Sequence, residues 1–331
     1  MSNSTATQTA TMLPSAGLLR SAKTIALVRN LLLPSIGILI FLVLWHLVAQ
    51  AIQTSLGKLP GPFEVMEQSA NLVQEYSAER QREVDFYQQQ ETSRAEFLAQ
   101  NPGQEFVTLH YTGTPTFFDQ ILTSIKTVAT GFLLGVLIAV PLGIVCGLSA
   151  QFYSAVNPLV QVLRPVSPLA WLPIVTMTVS AIYVTQVPGL PKSFVISAIT
   201  VMLCCLWPTL INTTIGVSSV SRDLVNVSRV LRLNWYTNVR RIVLPSALPM
   251  IFAGMRVSLG IGWMVLIATE MLAQNPGLGK FIWDEFQNGS SQSLARIMVA
   301  VVVIGIVGFA LDRLMLLAQR RVGWDKNAIL R

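Results

Sequence analysis

The chain has 331 residues, of which 52% are hydrophobic and only 12% are charged, and its formal net charge is +7. Soluble domains carry about 25% charged residues, so this composition excludes an ordinary soluble protein. The positive charge does not indicate nucleic-acid binding, because the basic residues are spread along the chain without interleaved aromatic residues. Several apolar runs reach the roughly 20 residues that a helix needs to cross a bilayer. The composition therefore predicts an all-α polytopic membrane protein.

The N-terminal part of the chain sets the expected orientation. Residues 1–30 contain three basic residues and no acidic residue, and the first long apolar run follows directly at 31–52. This run is too long for the apolar part of a signal peptide, and no small-residue cleavage site follows it. We therefore expect residues 1–30 to be a cytoplasmic N-terminal segment and residues 31–52 to be a retained first transmembrane helix.

Residues 53–120 form one long polar insert, which holds ten of the sixteen acidic residues and is expected on the periplasmic side. From Pro62 to about Gln100 it lacks Gly and Pro after its start and is rich in Glu, Gln, Arg and Ala. This composition predicts one long helix or a helical hairpin, which should end at Asn101-Pro102-Gly103. Two interpretations remain open for the insert: a solvated decoration, or an acidic docking surface for an external partner.

Five further spans are predicted after the insert, which makes six in all. They cover residues 123–148, 165–186, 193–215, 248–272 and 297–318. With six spans, the tail at residues 321–331 is cytoplasmic like the N-terminus, and the Lys/Arg bias of the short loops agrees with that orientation. The three cysteines lie inside apolar runs and are expected to be small buried residues rather than disulfide partners; they are Cys146, Cys204 and Cys205.

A basic, half-apolar segment separates the fourth and fifth predicted spans. Its first part has apolar residues on one helical face, at Leu224, Val227, Val230 and Leu231. Its second part has a short apolar face at Val239, Ile242 and Val243, and Leu244-Pro245 is expected to end the helix there. The pattern predicts a helix-turn-helix. It leaves open whether this element lies at an anionic lipid interface or docks on a protein.

The end of this segment carries a motif. Ile242-Val243-Leu244-Pro245, followed by Pro249, resembles the Ile-x-Leu-Pro end of the cytoplasmic EAA loop in permease subunits of binding-protein-dependent ABC importers. Asn226-Val227-Ser228 stands where that family commonly has Glu-Ala-Ala, and Arg232 stands at its Gly position. This beginning is similar to the nitrate, nitrite and bicarbonate branch. Four other segments agree with that branch, namely residues 163–174, 206–213, 254–286 and 305–315.

The resemblance, which covers roughly residues 115–321, implies a fold and a set of partners. The fold is a type I ABC importer (MetI-like) permease core at residues 121–320, with a coupling loop at 221–245 that inserts into a groove of a cytoplasmic ATP-binding subunit. The coupling residues are Asn226, Val227, Ser228, Arg229, Val230, Leu231, Arg232, Ile242, Leu244 and Pro245. The other implied partners are a periplasmic or lipoprotein substrate-binding protein, a second permease copy and the lipid of a bacterial inner membrane.

The sequence offers no site for ATP chemistry. Pro276-Gly277-Leu278-Gly279-Lys280 is rich in glycine, but it lacks the spacing and the Ser or Thr of a phosphate loop. We expect no catalytic residue and no cofactor on this chain, so that ATP and Mg²⁺ bind the partner subunit. Neither His46 nor His110 has a neighbouring ligand at metal-binding spacing, and no metal site is indicated.

Four residues are candidates for the translocation path: Arg256, Glu270, Trp171 and Trp263. Charged residues at membrane depth usually face the bundle interior or a wet cavity. Arg256 is either a positive point on the path of an anion or a residue that snorkels or pairs with another helix. Glu270 would repel an anion, which favours a gating or structural hydrogen-bonding role. The two tryptophans either pack or line the path, and Asp312-Arg313 is expected to be a structural or interfacial pair.

The preferred function is a permease subunit that carries nitrate or nitrite. Bicarbonate, cyanate and sulfonates such as taurine remain open as substrates. A stand-alone ion-coupled transporter would usually show an internal repeat with broken helices at matching places, and we find none in the sequence. A membrane-embedded enzyme would need a constellation of polar catalytic residues, which the predicted spans do not offer.

Overall fold

The computed structural model describes residues 16–54, 57–101, 104–184, 189–290 and 292–322. It divides into two compact units, Met1–Glu64 and Val65–Arg331. Part of the predicted N-terminal segment 1–30 and nearly all of the predicted tail 321–331 lie outside the described residues. Five of the described helices are long and apolar enough to cross a membrane, or six when one bent pair counts as a single span.

The first unit contains helix α1, Ala16–Ala51, and a small antiparallel hairpin of strands β1, Gln53–Thr54, and β2, Gly57–Lys58. Within α1, residues Leu32–Ala51 are long and apolar enough to cross a bilayer, which agrees with the first predicted span. The indole Nε1 of Trp45 donates a hydrogen bond to the carbonyl oxygen of Pro60 at 3.2 Å. This bond holds the chain that follows the hairpin beside the end of α1.

The part of the acidic insert that is predicted to be helical, from Pro62 to about Gln100, is one continuous helix, α2, Pro62–Gln100, and not a hairpin. From Val65 onward it belongs to the second unit. Arg80 pairs with Asp119 at 2.9 Å, and the ring of Tyr76 contacts the ring of Phe118 at 5.1 Å between centroids. Tyr111 donates a hydrogen bond to Glu79, which raises the pKa of Tyr111. The insert is therefore tied to the residues that open the next helix.

Four long helices form the bundle of the second unit: α3, Phe117–Leu148; α6, Lys192–Ser218; α9, Leu244–Ala273; and α11, Ser293–Val322. Helix α6 packs against both α3 and α9. Glycine allows α3 to approach α6 closely, because a Cβ atom at Gly131 would lie 2.5 Å from the carbonyl oxygen of Ala198 on α6. A short helix, α10, Leu278–Asn288, packs against both α9 and α11.

The third predicted span, residues 165–186, contains one continuous helix, and the structure adds a break directly before it. Helix α4, Ala150–Leu163, and helix α5, Pro168–Ile182, meet at a bend of 101°, and together they form a broken span or a re-entrant loop. Pro165 and Pro168 lack the N–H groups that would continue the helix across the break. The hydroxyl of Ser167 accepts a hydrogen bond from the backbone N–H of Leu169 and starts α5.

The segment after α6 forms the predicted helix-turn-helix, with α7, Arg222–Val230, and α8, Trp235–Asn238. The expectation that Leu244-Pro245 ends the second helix is wrong. Residues Val239–Val243 form a π-helical turn that runs from α8 directly into α9, so residues 235–273 form one helical rod. The wider turn accommodates Pro245, which has no N–H to donate and whose ring would crowd a regular α-helical turn before it.

Candidate functional site

The helix-turn-helix exposes a compact apolar surface. Val230 is 81% exposed, and Trp235 and Tyr236 are 64% and 63% exposed. We call this the docking surface, and its members are Leu224, Val227, Val230, Leu231, Trp235 and Tyr236. On the second predicted apolar face, Val243 is instead buried against Val217 and Ala247 of α6 and α9. One face of the loop is therefore fixed to the bundle and the other is left without a partner within the described chain.

A tight cap fixes the end of α7. The backbone N–H of Leu233 bonds the carbonyl oxygen of Ser228 at 3.1 Å, and that of Arg232 bonds the carbonyl oxygen of Arg229 at 3.1 Å. These two bonds form the Schellman motif, which requires a left-handed residue after the helix. Arg232 takes that role with φ of 45°, a conformation that glycine adopts without steric cost.

Replacing Arg232 with glycine should stabilise the protein by about 1 kcal/mol, because a left-handed side chain costs about 1–2 kcal/mol. Thermal unfolding of the purified protein in detergent measures this change. Arg229→Gly is the matched control, since Arg229 lies inside α7 and a helical glycine costs about 1 kcal/mol. Equal loss of stability in both variants would contradict the prediction.

The structure gives Arg256 an acidic partner. Its Nε and Nη2 atoms bond the two carboxylate oxygens of Asp312 at 2.5 and 3.0 Å, which joins α9 to α11. Such a bidentate pair neutralises the guanidinium charge. Asp312 thus has a structural role, as predicted for Asp312-Arg313, while the guanidinium of Arg313 lies over the ring of Phe309 at 4.7 Å from its centroid. Arg256 therefore pairs with another helix, and its place on the path of an anion stays a prediction.

Glu270 is completely buried at the far end of α9 from the docking surface, and it caps α10. The residue before α10, Gly277, is its N-cap and has no side chain to accept the first N–H groups of the helix. The carboxylate of Glu270 accepts the N–H of Gly279 at 3.0 Å, and the hydroxyl of Ser124 on α3 accepts the N–H of Leu278 at 2.9 Å. Ser124 in turn donates to Glu270 at 2.8 Å. Three helices are thus tied together by what we call the Glu270 cluster, namely Ser124, Glu270, Gly277, Leu278 and Gly279.

The two candidate tryptophans have different surroundings. Trp263 is buried, and its Nε1 donates to the carbonyl oxygen of Ile304 at 3.0 Å, so it packs α9 against α11. Trp171 lines a cavity of about 260 Å³ between α5, α6 and α9. Arg164, at the break between α4 and α5, lines the same cavity. Arg256 lines another cavity, of about 510 Å³, together with its partner Asp312. Two of the four candidates thus lie on open cavities, while Trp263 and Glu270 have packing and hydrogen-bonding roles.

Comparison with known proteins gives the family. The family model of the binding-protein-dependent transport system inner membrane component matches residues 139–324, which is more than half of the chain. The chain belongs to this family. It is a transport permease, and the matched region contains the bent pair, the helix-turn-helix, α9 and α11.

Individual relatives extend the likeness over most of the permease. It is 33% identical to the nitrate import permease protein NrtB of Synechococcus elongatus over 283 residues, which cover 86% of each chain. It is 34% identical to the bicarbonate transport system permease protein CmpB of the same organism over 292 residues, 88% of this chain and 89% of that one. The NrtB of Synechocystis is 40% identical over 194 residues, 59% of this chain and 66% of that one.

The fold is that of known importers. An inward-facing structure of the MetNI methionine ABC transporter superposes with a TM-score of 0.54 at 16% identity, over 62% of this permease and 95% of that chain. This agreement confirms the predicted MetI-like permease core.

Two features of the site escaped the sequence analysis. The glycines of residues 276–280 were examined only as a phosphate loop, whereas they let α10 approach Glu270 and α9. Arg164 lies just before the third predicted span, and a single arginine between apolar runs and beside Pro165 is the sequence signal for a break there.

Proposed function

We propose that this permease is the membrane-spanning subunit of an ATP-driven importer, and that it carries nitrate or nitrite across the bacterial inner membrane. The choice of nitrate rests on the similarity of this chain to two named nitrate import permeases, of which one aligns with 86% of this chain. Bicarbonate is the second candidate, because the similarity to a bicarbonate permease is of the same extent. Nitrate and bicarbonate are both small oxyanions, so one path could serve either.

The docking surface is the proposed contact with a separate cytoplasmic ATP-binding subunit. Six exposed apolar side chains on two short helices would be costly in water, and such a patch is typical of a protein interface. The rod at residues 235–273 supports a coupling role, since it joins the docking surface to the bundle without a flexible link. ATP and Mg²⁺ would then bind the partner, and this chain would hold neither.

The same proposal places both chain termini in the cytoplasm, α2 outside, and a second permease copy beside this one. The basic loop at residues 222–241 supports this orientation. A periplasmic or lipoprotein substrate-binding protein would deliver the anion. The long acidic helix α2 is available for contact with such a protein, because most of its length from Tyr87 onward is exposed.

The test is reconstitution of the permease in liposomes with its ATP-binding subunit and its binding protein. We expect nitrate, presented with the binding protein, to stimulate ATP hydrolysis and uptake more than bicarbonate, cyanate or taurine does. Uptake by the purified permease alone, without an ATP-binding subunit or ATP, would overturn the subunit assignment. Stronger stimulation by bicarbonate would change the assigned substrate while leaving the importer role intact.

A further inference from the structure

Arg164 is an exposed cation at the break between α4 and α5, and it differs from three other cations of the second unit that have acidic partners. Arg256 is neutralised by Asp312, Arg296 contacts Glu75 and Glu285, and Lys280 contacts Asp284. The guanidinium of Arg164 has no hydrogen-bond or ion-pair partner among the residues that the structure describes. A cation at a break between two apolar helices is costly unless it meets water or an anion.

Arg164 lines two cavities. The first, of about 260 Å³, is lined by Arg164 together with the indoles of Trp171 and Trp207 and the amide of Asn212. The second, of about 640 Å³, is lined by Arg164 together with Asn157 and Gln161. Among the lining residues of both cavities, Arg164 carries the one formal charge and no carboxylate is present. The lining of each cavity thus holds one positive charge and at least one side-chain amide group.

The lining residues place the two cavities along helices of the bundle. Cys204 and Ile261, which line the first cavity, lie near the middle of α6 and α9. Thr214 and Ile215, which line the second cavity, lie in the last turns of α6, at the end where α7 begins. The two cavities therefore follow one another along α6, from mid-bundle toward the docking surface.

We propose that Arg164 is a transit site at which a small oxyanion pauses between the two cavities. The planar guanidinium matches two oxygens of an oxyanion, and the amide of Asn212 can donate a further hydrogen bond. A single arginine without a second cation suits transit, because a transported ion must enter the site and also leave it. The proposal rests on the proposed function, since it names the residue that would receive the anion on its way through the permease.

A native thiol in the first cavity reports the electrostatic potential near Arg164. Cys146 and Cys205 are replaced by alanine, so that Cys204 is the cysteine retained among the three. The complex of this variant with the ATP-binding subunit is then treated with methanethiosulfonate reagents of opposite charge. The anionic reagent carries an ethylsulfonate and the cationic reagent an ethyltrimethylammonium group. The ratio of their two rate constants is measured, because any change in thiolate fraction cancels in the ratio.

We expect Arg164→Gln to lower the anionic-to-cationic ratio by about tenfold, because the substitution removes a unit charge from the cavity that Cys204 also lines. Arg164→Lys should keep most of the ratio, and Arg313→Gln, on an exposed part of α11, should leave it unchanged. An unchanged ratio in Arg164→Gln would overturn the proposal, and so would a Cys204 that reacts with neither reagent.

A transport measurement then distinguishes failure of the transit site from failure of the proposed function. Arg164→Gln should reduce binding-protein-dependent nitrate uptake by about tenfold or more, while Arg164→Lys retains part of it. Full nitrate uptake by Arg164→Gln would overturn the transit site and leave the importer role standing. If no oxyanion stimulates the wild-type complex while the thiol ratio still falls in Arg164→Gln, the positive cavity stands and the assigned cargo fails.

Discussion

Replacing Gly279 with alanine should prevent the permease from forming its native bundle. A Cβ atom at this position would lie 2.1 Å from the backbone carbonyl oxygen of Ile267 and 2.9 Å from the Cβ of Glu270. The first of these contacts is with backbone, which cannot rotate away, so α10 would have to move off α9. The movement would also break the bond between the N–H of Gly279 and the buried carboxylate of Glu270.

The expected loss for Gly279→Ala is about 3 kcal/mol or more, the sum of overpacking and an unsatisfied buried carboxylate. Yield and thermal unfolding in detergent measure it. Gly305→Ala is the matched control, because Gly305 is also helical and a Cβ there meets nothing within 4 Å. A wild-type melting temperature for Gly279→Ala would show that the Glu270 cluster is not tightly packed.

The second large effect is expected at the docking surface, where Val230→Asp should detach the ATP-binding subunit. An unpaired carboxylate at the centre of an apolar interface costs about 2–4 kcal/mol, by the usual size of interface hot spots. This corresponds to a loss of about 30-fold or more in affinity. The permease itself should keep its melting temperature, because Val230 is 81% exposed.

Co-purification of the ATP-binding subunit with tagged permease measures this loss. Val225→Asp is the matched control, since Val225 lies on α7 about 140° around the helix from Val230. We expect Val225→Asp to retain the partner and Val230→Asp to lose it. Equal retention by the two variants would argue that the docking surface faces lipid rather than a protein.

The sequence was sufficient to predict the long helices but not where proline breaks them. Pro141, Pro208 and Pro249 lie inside helices, whereas Pro165 and Pro168 accompany a bend of 101°. In a membrane bundle the neighbouring helices decide whether the carbonyl groups that proline leaves unpaired find other donors. That outcome depends on tertiary packing, which hydropathy does not report.

The same reason limits prediction of the site. Apolar spacing located the docking surface, because neighbours on one helical face are set by local geometry. The partners of Glu270 and Arg256 are 146 and 56 residues away in sequence, at Ser124 and Asp312. No local pattern identifies such partners, so the sequence left both charges as path candidates while the structure joins them to other helices.

The π turn at Val239–Val243 has a consequence for how this rod can change in evolution. A π turn accommodates one more residue than an α turn, so the extra residue is absorbed and the helix before the turn keeps its direction relative to the helix after it. Deleting one residue within Val239–Val243 would therefore leave a regular α-helix with Trp235 and Tyr236 facing as they do now, whereas deleting one residue from the regular part of α9 would rotate them by about 100°. The π turn is thus the one place described here where the rod can lose a residue without turning the docking surface away from its partner.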